Sequence, residues 1–525
     1  MAKKYIFFLL CVICVLCETA DIAYSQKPAG ENGSDIVIGE KEALLIALKN
    51  NFDILITRSV PQIGERNLGL AESEFDLSLY GSVNRTNSIT PSTSVFANPE
   101  VGEQFKETYS VGVRQKLKPG TRVELAYEKS TTETNSTFSG VNPQFDNYLK
   151  LSINQPLMKG MGLDVNNTNV YIAKNSMKID ENEYRMRVMD VLSKVRDTYW
   201  DTVYLSKELE VQKESLALAI DFRERIKLQV KVGALAPIDI VAAEASVALR
   251  EEALIDIDEM IQNNQDALKA MLNMREARPG SPVRIVPKDE PLFKAVKADV
   301  ESLKKTAYEN RPDFKKAQLL VDMRRRELKY NKNQLLPTVD LQGSVRLKGV
   351  RGEGQEVVGL DGKPVVSNFA GTQSDSLEDM KKGDYYDYSV GVVAEMPLFN
   401  RPGRHRAAKS RLETEMAENS LLNARQAIDV GIHKVVREVE TAEKRISASK
   451  LSLKLAEKKL EAEVKKYEVG SSTSFAVLEY QKDLAAEKTK AIKAVIDHIK
   501  ALSHMELATG TLLDKNNISL EFNGE

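Results

Sequence analysis

The sequence predicts a mixed chain of long coiled-coil α-helices and membrane-type β-strands, laid out twice. Three observations predict it. Six segments of about ten residues alternate apolar and polar side chains. A heptad seam runs for more than five repeats. A Val-Gly pair sits between long helical runs twice, with Gly233 and Gly470 separated by 237 positions.

The alternating segments come first. Leu77, Leu79, Gly81 and Val83 alternate with polar or small residues; so do Tyr109, Val111, Val113 and Leu117, then Val123, Leu125 and Tyr127, then Leu149, Leu151 and Ile153. The pattern returns at Val339, Leu341, Val345 and Leu347, and at Tyr386, Tyr388, Val390, Val392, Ala394 and Met396. About ten residues is the length of a strand crossing a bilayer. A half-buried sheet in a soluble sandwich gives the same alternation, so turn lengths must decide. Lys118-Pro119-Gly120 is a tight turn by composition. The intervals 88–106, 132–147 and 350–384 are long and polar. Short turns on one side and long loops on the other is the outer-membrane barrel pattern. Six strands fall short of the roughly eight in the smallest such barrels, so closure needs further copies of the chain.

The helices follow. Ile432, Val439, Ile446, Leu453, Leu460 and Tyr467 form one heptad row, and Ile428, Val435, Ala442, Ser449, Ala456 and Glu463 the other. A helix over about 404–469 reaches roughly 95–100 Å at 1.5 Å per residue. A similar run covers about 165–231. Shorter partners cover about 237–273 and 474–509, the first with an apolar stripe through Leu249, Ala253, Ile257, Ile261, Leu268 and Leu272. Pro237 suits a first helical turn, and Gly233 and Gly470 suit helix ends where positive φ is needed. Each Val-Gly therefore reads as the bend of a helical hairpin.

The boundaries are a signal peptide at 1–25; a first repeat at 26–272, with strands near 77–89, 107–117, 121–132 and 147–157 and a hairpin at 165–272 bending at 232–236; a linker with equatorial helices at 273–336; a second repeat at 337–509, with strands near 338–348 and 385–398 and a hairpin at 404–509 bending at 469–473; and a tail at 510–525. Lys3 and Lys4 precede an apolar run from Tyr5 to Cys17, too short to span a bilayer comfortably, and Ala23-Tyr24-Ser25 places cleavage after Ser25. Cys11, Cys14 and Cys17 all precede that point, which removes thiol chemistry and disulfides from the mature chain. Lipidation at Cys17 is disfavoured by the bulky Leu16 before it. No later run of 18 apolar residues predicts a transmembrane helix.

Net charge is −2 with signs interspersed, which does not point to nucleic acid. His405, His433, His498 and His504 lack metal-ligand spacing. The run 349–354 resembles a phosphate loop but opens no helix. The basic cluster Arg401 to Arg406 fits a helix start at a membrane boundary. No nucleophile–base arrangement is readable, so no enzyme, cofactor or metal is expected.

The halves match in order. The run 47–53 parallels 307–313, Gln155-Pro156-Leu157 parallels Met396-Pro397-Leu398, and Val232-Gly233 parallels Val469-Gly470. With the ending Glu506 to Leu512, this doubled order resembles the TolC family of outer membrane efflux proteins from about Gly39 to Thr511. The resemblance implies a homotrimer in the outer membrane lipid, a barrel shared by three copies and a hollow helical cylinder crossing the periplasm. It implies a passive duct of a tripartite efflux or type I secretion system. A periplasmic adaptor (membrane fusion protein) couples such ducts to an inner-membrane pump of RND, MFS or ABC type, without nucleic acid. Adaptor docking is carried over to the tips Val232, Gly233, Ala234 and Leu235 with Val469, Gly470, Ser471 and Ser472. The strand-to-helix junctions are Pro156 and Pro397. For the periplasmic aperture, Tyr467 matches the family's tyrosine, Asp239 an acidic partner and Glu479 one acidic position. Ser472 stands where an arginine is expected and Ala476 replaces a second acidic residue, so the family's ionic lock is incomplete. Three copies of Glu479 would form an acidic ring able to bind cations. The family's usual protomer supplies four strands; the six alternating segments favour six, with the alternative that 109–129 is an external hairpin. A surface-anchored trimeric coiled-coil adhesin is the rival reading; two alternations of strands and helices favour the duct.

Overall fold

The computed structural model describes residues 35–91, 99–358 and 364–520. The expected leader, its cleavage after Ser25 and all three cysteines lie outside the described residues.

In chain order the elements are β1 (Ile36–Ile38), α1 (Glu40–Asn50), α2 (Phe52–Glu72), β2 (Ser78–Pro91), β3 (Val101–Lys116), β4 (Arg122–Thr134), β5 (Val141–Pro156), α3 (Leu163–Asn166), α4 (Thr168–Lys231), α5 (Ile238–Leu272), β6 (Ile285–Pro287), α6 (Val300–Asn310), α7 (Pro312–Asn333), β7 (Thr338–Gly354), β8 (Glu356–Val358), β9 (Pro364–Val366), α8 (Gln373–Lys382), β10 (Tyr385–Glu395), α9 (Arg401–Glu468), α10 (Ser474–Thr509) and α11 (Leu512–Lys515). The chain is internally duplicated. In each half a short helix breaks into a longer one, strands follow, and a long helix returns through a bend to a shorter one. The breaks have local causes. Asn51 ends α1, and its side chain accepts from Asp53 N at 3.0 Å and Ile54 N at 3.4 Å, capping α2. Pro312 opens α7 where its missing N–H costs nothing.

β2, β3, β4, β5, β7 and β10 form one antiparallel sheet in that order, so β5–β7 pairing fuses the two halves. The strands run 11 to 17 residues, longer than the apolar alternation marks. Ladders continue past the apolar stretch through Thr, Glu and Lys residues, whose alternation carries no hydropathy signal. Register builds two unlike faces. One cross-strand row reads Leu79, Val113, Leu125, Leu151, Val345 and Tyr388. The neighbouring row points the other way and reads Ser78, Arg114, Glu124, Ser152, Ser344 and Ser389. Among the described residues nothing covers most of the apolar face: Leu79 is 76% and Tyr388 74% exposed.

α8 was not foreseen inside the interval 350–384. Thr372 and Asp375 form a capping box at its start, and Gly383 ends it at φ +76°. It seats on the apolar side of β5 and β7, beyond the apolar rows. Ser376 Oγ donates to Gly349 O at 2.8 Å, Asn147 Nδ2 donates to Ser376 Oγ at 2.9 Å, and Asp379 pairs with Arg351 at 2.5 Å. A side chain on Gly349 would run into the Ser376 carbonyl.

The helices make one layer. α4 packs against α2 and α7 near the sheet and against α5 and α10 beyond them; α9 packs against α7 and then α10. The heptad seam is the covered face of α9: Ile428, Ile432, Val435, Val439, Ala442, Ile446 and Ala456 are buried. On α5 the expected stripe holds at Ile257, Leu268 and Leu272, but Leu249 is exposed, because α5 lies at the flank of the layer. Midway, α1, α4, α5, β6 and α11 enclose the largest core, around Leu44, Leu192, Tyr199, Leu268, Leu272, Ile285 and Leu512. Arg196 is buried at its edge. Its Nη1 donates to Glu506 at 2.8 Å and its Nη2 to Asn516 Oδ1 at 2.9 Å. Glu40 Oε1 lies 2.5 Å from Nε, out of line with that N–H, as an ion contact.

His504 Nε2 lies 3.1 Å from Asp197 Oδ2 and ties α10 to α4. The Asp197 hydrogen bond holds the imidazole above its usual pKa, against partial burial. A pKa raised on folding adds stability that is complete below the unfolded value and fades as pH rises through the folded one. Stability is therefore expected to fall as pH climbs from about 6.5, less so in His504→Gln; matched urea titrations across that range check it.

Candidate functional site

The two bends lie side by side at the far end of the helical layer from the sheet. Both are full Schellman caps. Ala234 N donates to Gln229 O at 2.8 Å and Gly233 N to Val230 O at 3.0 Å. Ser471 N donates to Lys466 O at 2.8 Å and Gly470 N to Tyr467 O at 3.0 Å. Gly233 and Gly470 take φ +79° and +76°, with open space where a Cβ would sit. Replacing either by Ala thus costs only the left-handed backbone, about 1–2 kcal/mol. Gly470→Ala is expected to speed amide exchange at residues 466–474 and leave the midway core unchanged.

The tips present apolar side chains to solvent. Val232 is 77% and Val469 79% exposed, with Ile238 and Phe475 beside them. Gly233, Ala234, Gly470 and Ser471 are also exposed, whereas Leu235 packs inward against a small core of Phe222, Ile226, Ala243, Val477 and Leu478. Ser472 donates to Glu463 on its own hairpin.

The expected aperture residues are distributed unequally. Tyr467 joins the tip core: its ring lies 5.3 Å from that of Phe222, and its hydroxyl donates to Gln229 across the hairpins. Burial, and then the Asp239 carboxylate, push that hydroxyl's pKa up. Asp239 accepts from Ser474 Oγ at 2.6 Å, a second tie between the hairpins. Glu479 stands apart, about half exposed and 3.6 Å from Lys482.

Beside Glu479 lies Arg250, which sequence reasoning missed. It is buried where α4, α5 and α10 meet. Its Nε donates to Ser215 Oγ at 3.0 Å, its Nη1 to Ser246 O at 2.9 Å and its Nη2 to Leu478 O at 3.2 Å. Burial pulls its pKa down, opposed by the Glu479 carboxylate. Both line a cavity of about 410 Å³ with Leu249, Phe475 and Leu478. A buried arginine has no signature in one sequence; it reads like any helix-surface cation.

At the other end of the layer the two prolines mark the passage between sheet and helices. Pro156 is the last residue of β5, and Leu157 N donates to Val339 O at 2.7 Å. Pro397 lies between the end of β10 and the start of α9. Among the described residues no cluster of His, Cys, Asp and Glu could hold a metal ion, and no helix is long and apolar enough to cross a membrane.

The family model for outer membrane efflux proteins matches residues 112–274 and 303–511, one stretch in each half. The chain is similar to the nodulation protein T of Rhizobium leguminosarum bv. trifolii, 22% identical over 338 residues, which span 62% of this chain and 64% of that protein. It is similar to the outer membrane efflux protein BepC of Brucella suis, 20% identical over 482 residues, 90% of this chain and 85% of that protein. Its fold is that of the outer membrane protein VceC of Vibrio cholerae, with a TM-score of 0.61 at 15% identity, covering 90% of this chain and 96% of that one. The architecture is TolC-like, and the family consists of channel proteins rather than enzymes. The doubled hairpins, the two-faced sheet and a match spanning both halves place this chain in the outer membrane efflux protein family.

Proposed function

We propose that the chain is one protomer of a homotrimeric outer-membrane channel-tunnel, a passive export duct. The carrying observation is the sheet. Its apolar rows are exposed on one face, its polar rows fill the other, and among the described residues its edge strands β2 and β10 have no further partner. Unpaired edges cannot face lipid, because their N–H and C=O groups would go unsatisfied. Three sheets closing edge to edge remove every edge, put the apolar rows against the outer membrane and leave the polar rows around water. Exposed apolar residues along the helices, such as Leu412, Leu422 and Val430 on α9, fit contacts between protomers. The helical layer then forms a periplasmic cylinder; α9, with 68 residues, spans about 100 Å.

The exposed Val232 and Val469 fit an adaptor that buries apolar side chains, and through it an inner-membrane pump of RND, MFS or ABC type supplies the energy. A photo-crosslinking residue at Val469 tests this docking. Capture of a periplasmic adaptor in cells supports it; capture of neither adaptor nor pump at Val469 and Val232 alike overturns it.

Tyr467, Asp239 and Glu479 are assigned to the periplasmic aperture. With Lys482 and Arg250 beside it, Glu479 makes a partly neutralised ring. Glu479→Gln is therefore expected to reduce cation preference in planar bilayers by less than twofold. No change in cation preference or in divalent sensitivity removes Glu479 from the aperture.

A further inference from the structure

The passage from β10 to α9 carries a cationic run that a passive duct does not require. From Met396 to Leu412 the chain has five cations, Arg401, Arg404, Arg406, Lys409 and Arg411, and no carboxylate. Exposed apolar side chains come just before them. Met396 continues the apolar face of β10 past Ala394, and Leu398, 88% exposed, and Phe399 follow it. At the same end of the sheet Leu157 continues the apolar face of β5, with Met161 and Leu163 exposed beyond it. The Arg401 guanidinium lies 5.9 Å from the centre of the Phe399 ring, so an apolar body carries a charged head.

Local contacts fix how α9 leaves the sheet. Arg404 N donates to Asn400 O at 3.0 Å, and Asn400 Nδ2 donates to Leu335 O at 3.4 Å. Asn331 Nδ2 donates to Ser410 Oγ at 2.6 Å and Thr414 Oγ1 to Arg324 O at 3.3 Å, which holds that side of α9 against α7. At about 100° per residue, Arg404 and Arg411 then fall on one flank of the helix, Arg406 and Lys409 on the other, and Arg401 opposite α7. In a closed trimer one flank meets the bore and the other the outside, so the outer flank always carries two cations. Among the described residues Arg404, Arg406 and Arg411 have no carboxylate partner, and Lys409 lies 3.7 Å from Glu413. Nearby acids are directed elsewhere. Glu395 pairs in register with Thr338 on the polar face, and Asp164 holds Arg326 at 3.0 Å and also Lys329.

Place and charge together select the occupant. With the apolar rows in hydrocarbon, this junction lies in the headgroup zone of the periplasmic leaflet, which is roughly 5–7 Å deep. Residues 401 to 406 rise about 8 Å along the helix axis, and arginine stems lie on apolar surface while their heads stay in water. We propose that the start of α9, with Leu398 and Phe399, is a headgroup site for anionic phospholipids of that leaflet, one in each protomer. The guanidinium groups take the phosphate and the apolar side chains take the upper acyl chain. A zwitterionic lipid gains less, because α9 offers its ammonium no carboxylate before Glu413, about 18 Å beyond Arg401. This rests on the shared-barrel reading.

The test uses the purified trimer in nanodiscs of equal parts phosphatidylethanolamine and phosphatidylglycerol, released and weighed with its retained lipids by native mass spectrometry. Two cations beside an anionic headgroup favour it by roughly tenfold or more, so phosphatidylglycerol is expected to be retained over phosphatidylethanolamine by that factor. A variant with Arg401→Gln, Arg404→Gln, Arg406→Gln, Lys409→Gln and Arg411→Gln is expected to retain the two lipids equally. Replacing the same four arginines by Lys is expected to keep the preference, since a point charge serves a phosphate. Should the Gln variant fail to assemble, Arg404→Gln with Arg406→Gln takes one cation from each flank and is expected to cut the preference about fivefold. Equal retention of both lipids by the unaltered trimer overturns the site, and so does an unchanged preference in the Gln variants. Failure of the unaltered chain to form a lipid-embedded trimer overturns the shared barrel instead.

Discussion

Val345→Arg is expected to abolish assembly of the trimer in the outer membrane, while Ser344→Arg, one residue away, leaves it intact. The two positions sit in neighbouring rows that face opposite ways. Val345 lies among Leu151 and Tyr388, near the middle of the apolar band. An arginine at such a position costs about 2–4 kcal/mol in a barrel wall, and a trimer incurs that cost three times. Ser344 shares its row with Ser152 and Ser389 and faces the polar side, where a guanidinium keeps its water. Heat-resistant trimer on gels of outer-membrane fractions reads the difference. Equal loss in both variants would mean that the sheet has no lipid face.

Arg196→Leu is expected to give the largest loss of stability among single substitutions in the helical layer. The guanidinium joins Glu40 of α1, Glu506 of α10 and Asn516 after α11, elements far apart in sequence. Leucine fills much of the volume but takes the guanidinium away from two carboxylates that are about four-fifths shielded from water, leaving Glu506 with Lys515 at 3.5 Å and Glu40 with the Trp200 indole N–H at 3.3 Å. Removing one partner of such a set costs about 3–5 kcal/mol. The double variant with Glu506→Gln is expected to recover part of that, because one of the two shielded charges that lost the guanidinium disappears. Denaturant unfolding of the purified trimer measures both. A loss below about 1 kcal/mol would place the cluster with ordinary surface ion pairs.

How much of this was legible in the sequence depends on the range of the signal. The alternation of Leu149, Leu151 and Ile153 and the heptad row from Ile432 to Tyr467 are local periodicities, fixed by strand and helix geometry. Gly233 and Gly470 were legible because one backbone conformation at a helix end selects glycine. Strand length was not, since a ladder that leaves the apolar band continues through residues such as Glu107 and Lys129 with no change in composition to mark it. α8 was hidden in a polar loop, although Thr372 and Asp375 carried its capping signal. The tip contacts of Tyr467 with Phe222 and Gln229, and the arginines at 196 and 250, join residues hundreds of positions apart. Such pairs follow only once the helices are placed side by side.

The central claim is that three copies of one two-faced sheet close a lipid-embedded, water-filled wall. Current across a planar bilayer after adding the purified chain tests it most directly. The account predicts a detergent-requiring trimer that inserts and gives discrete, stable unitary conductance steps. A water-soluble monomer that leaves the bilayer silent would contradict it.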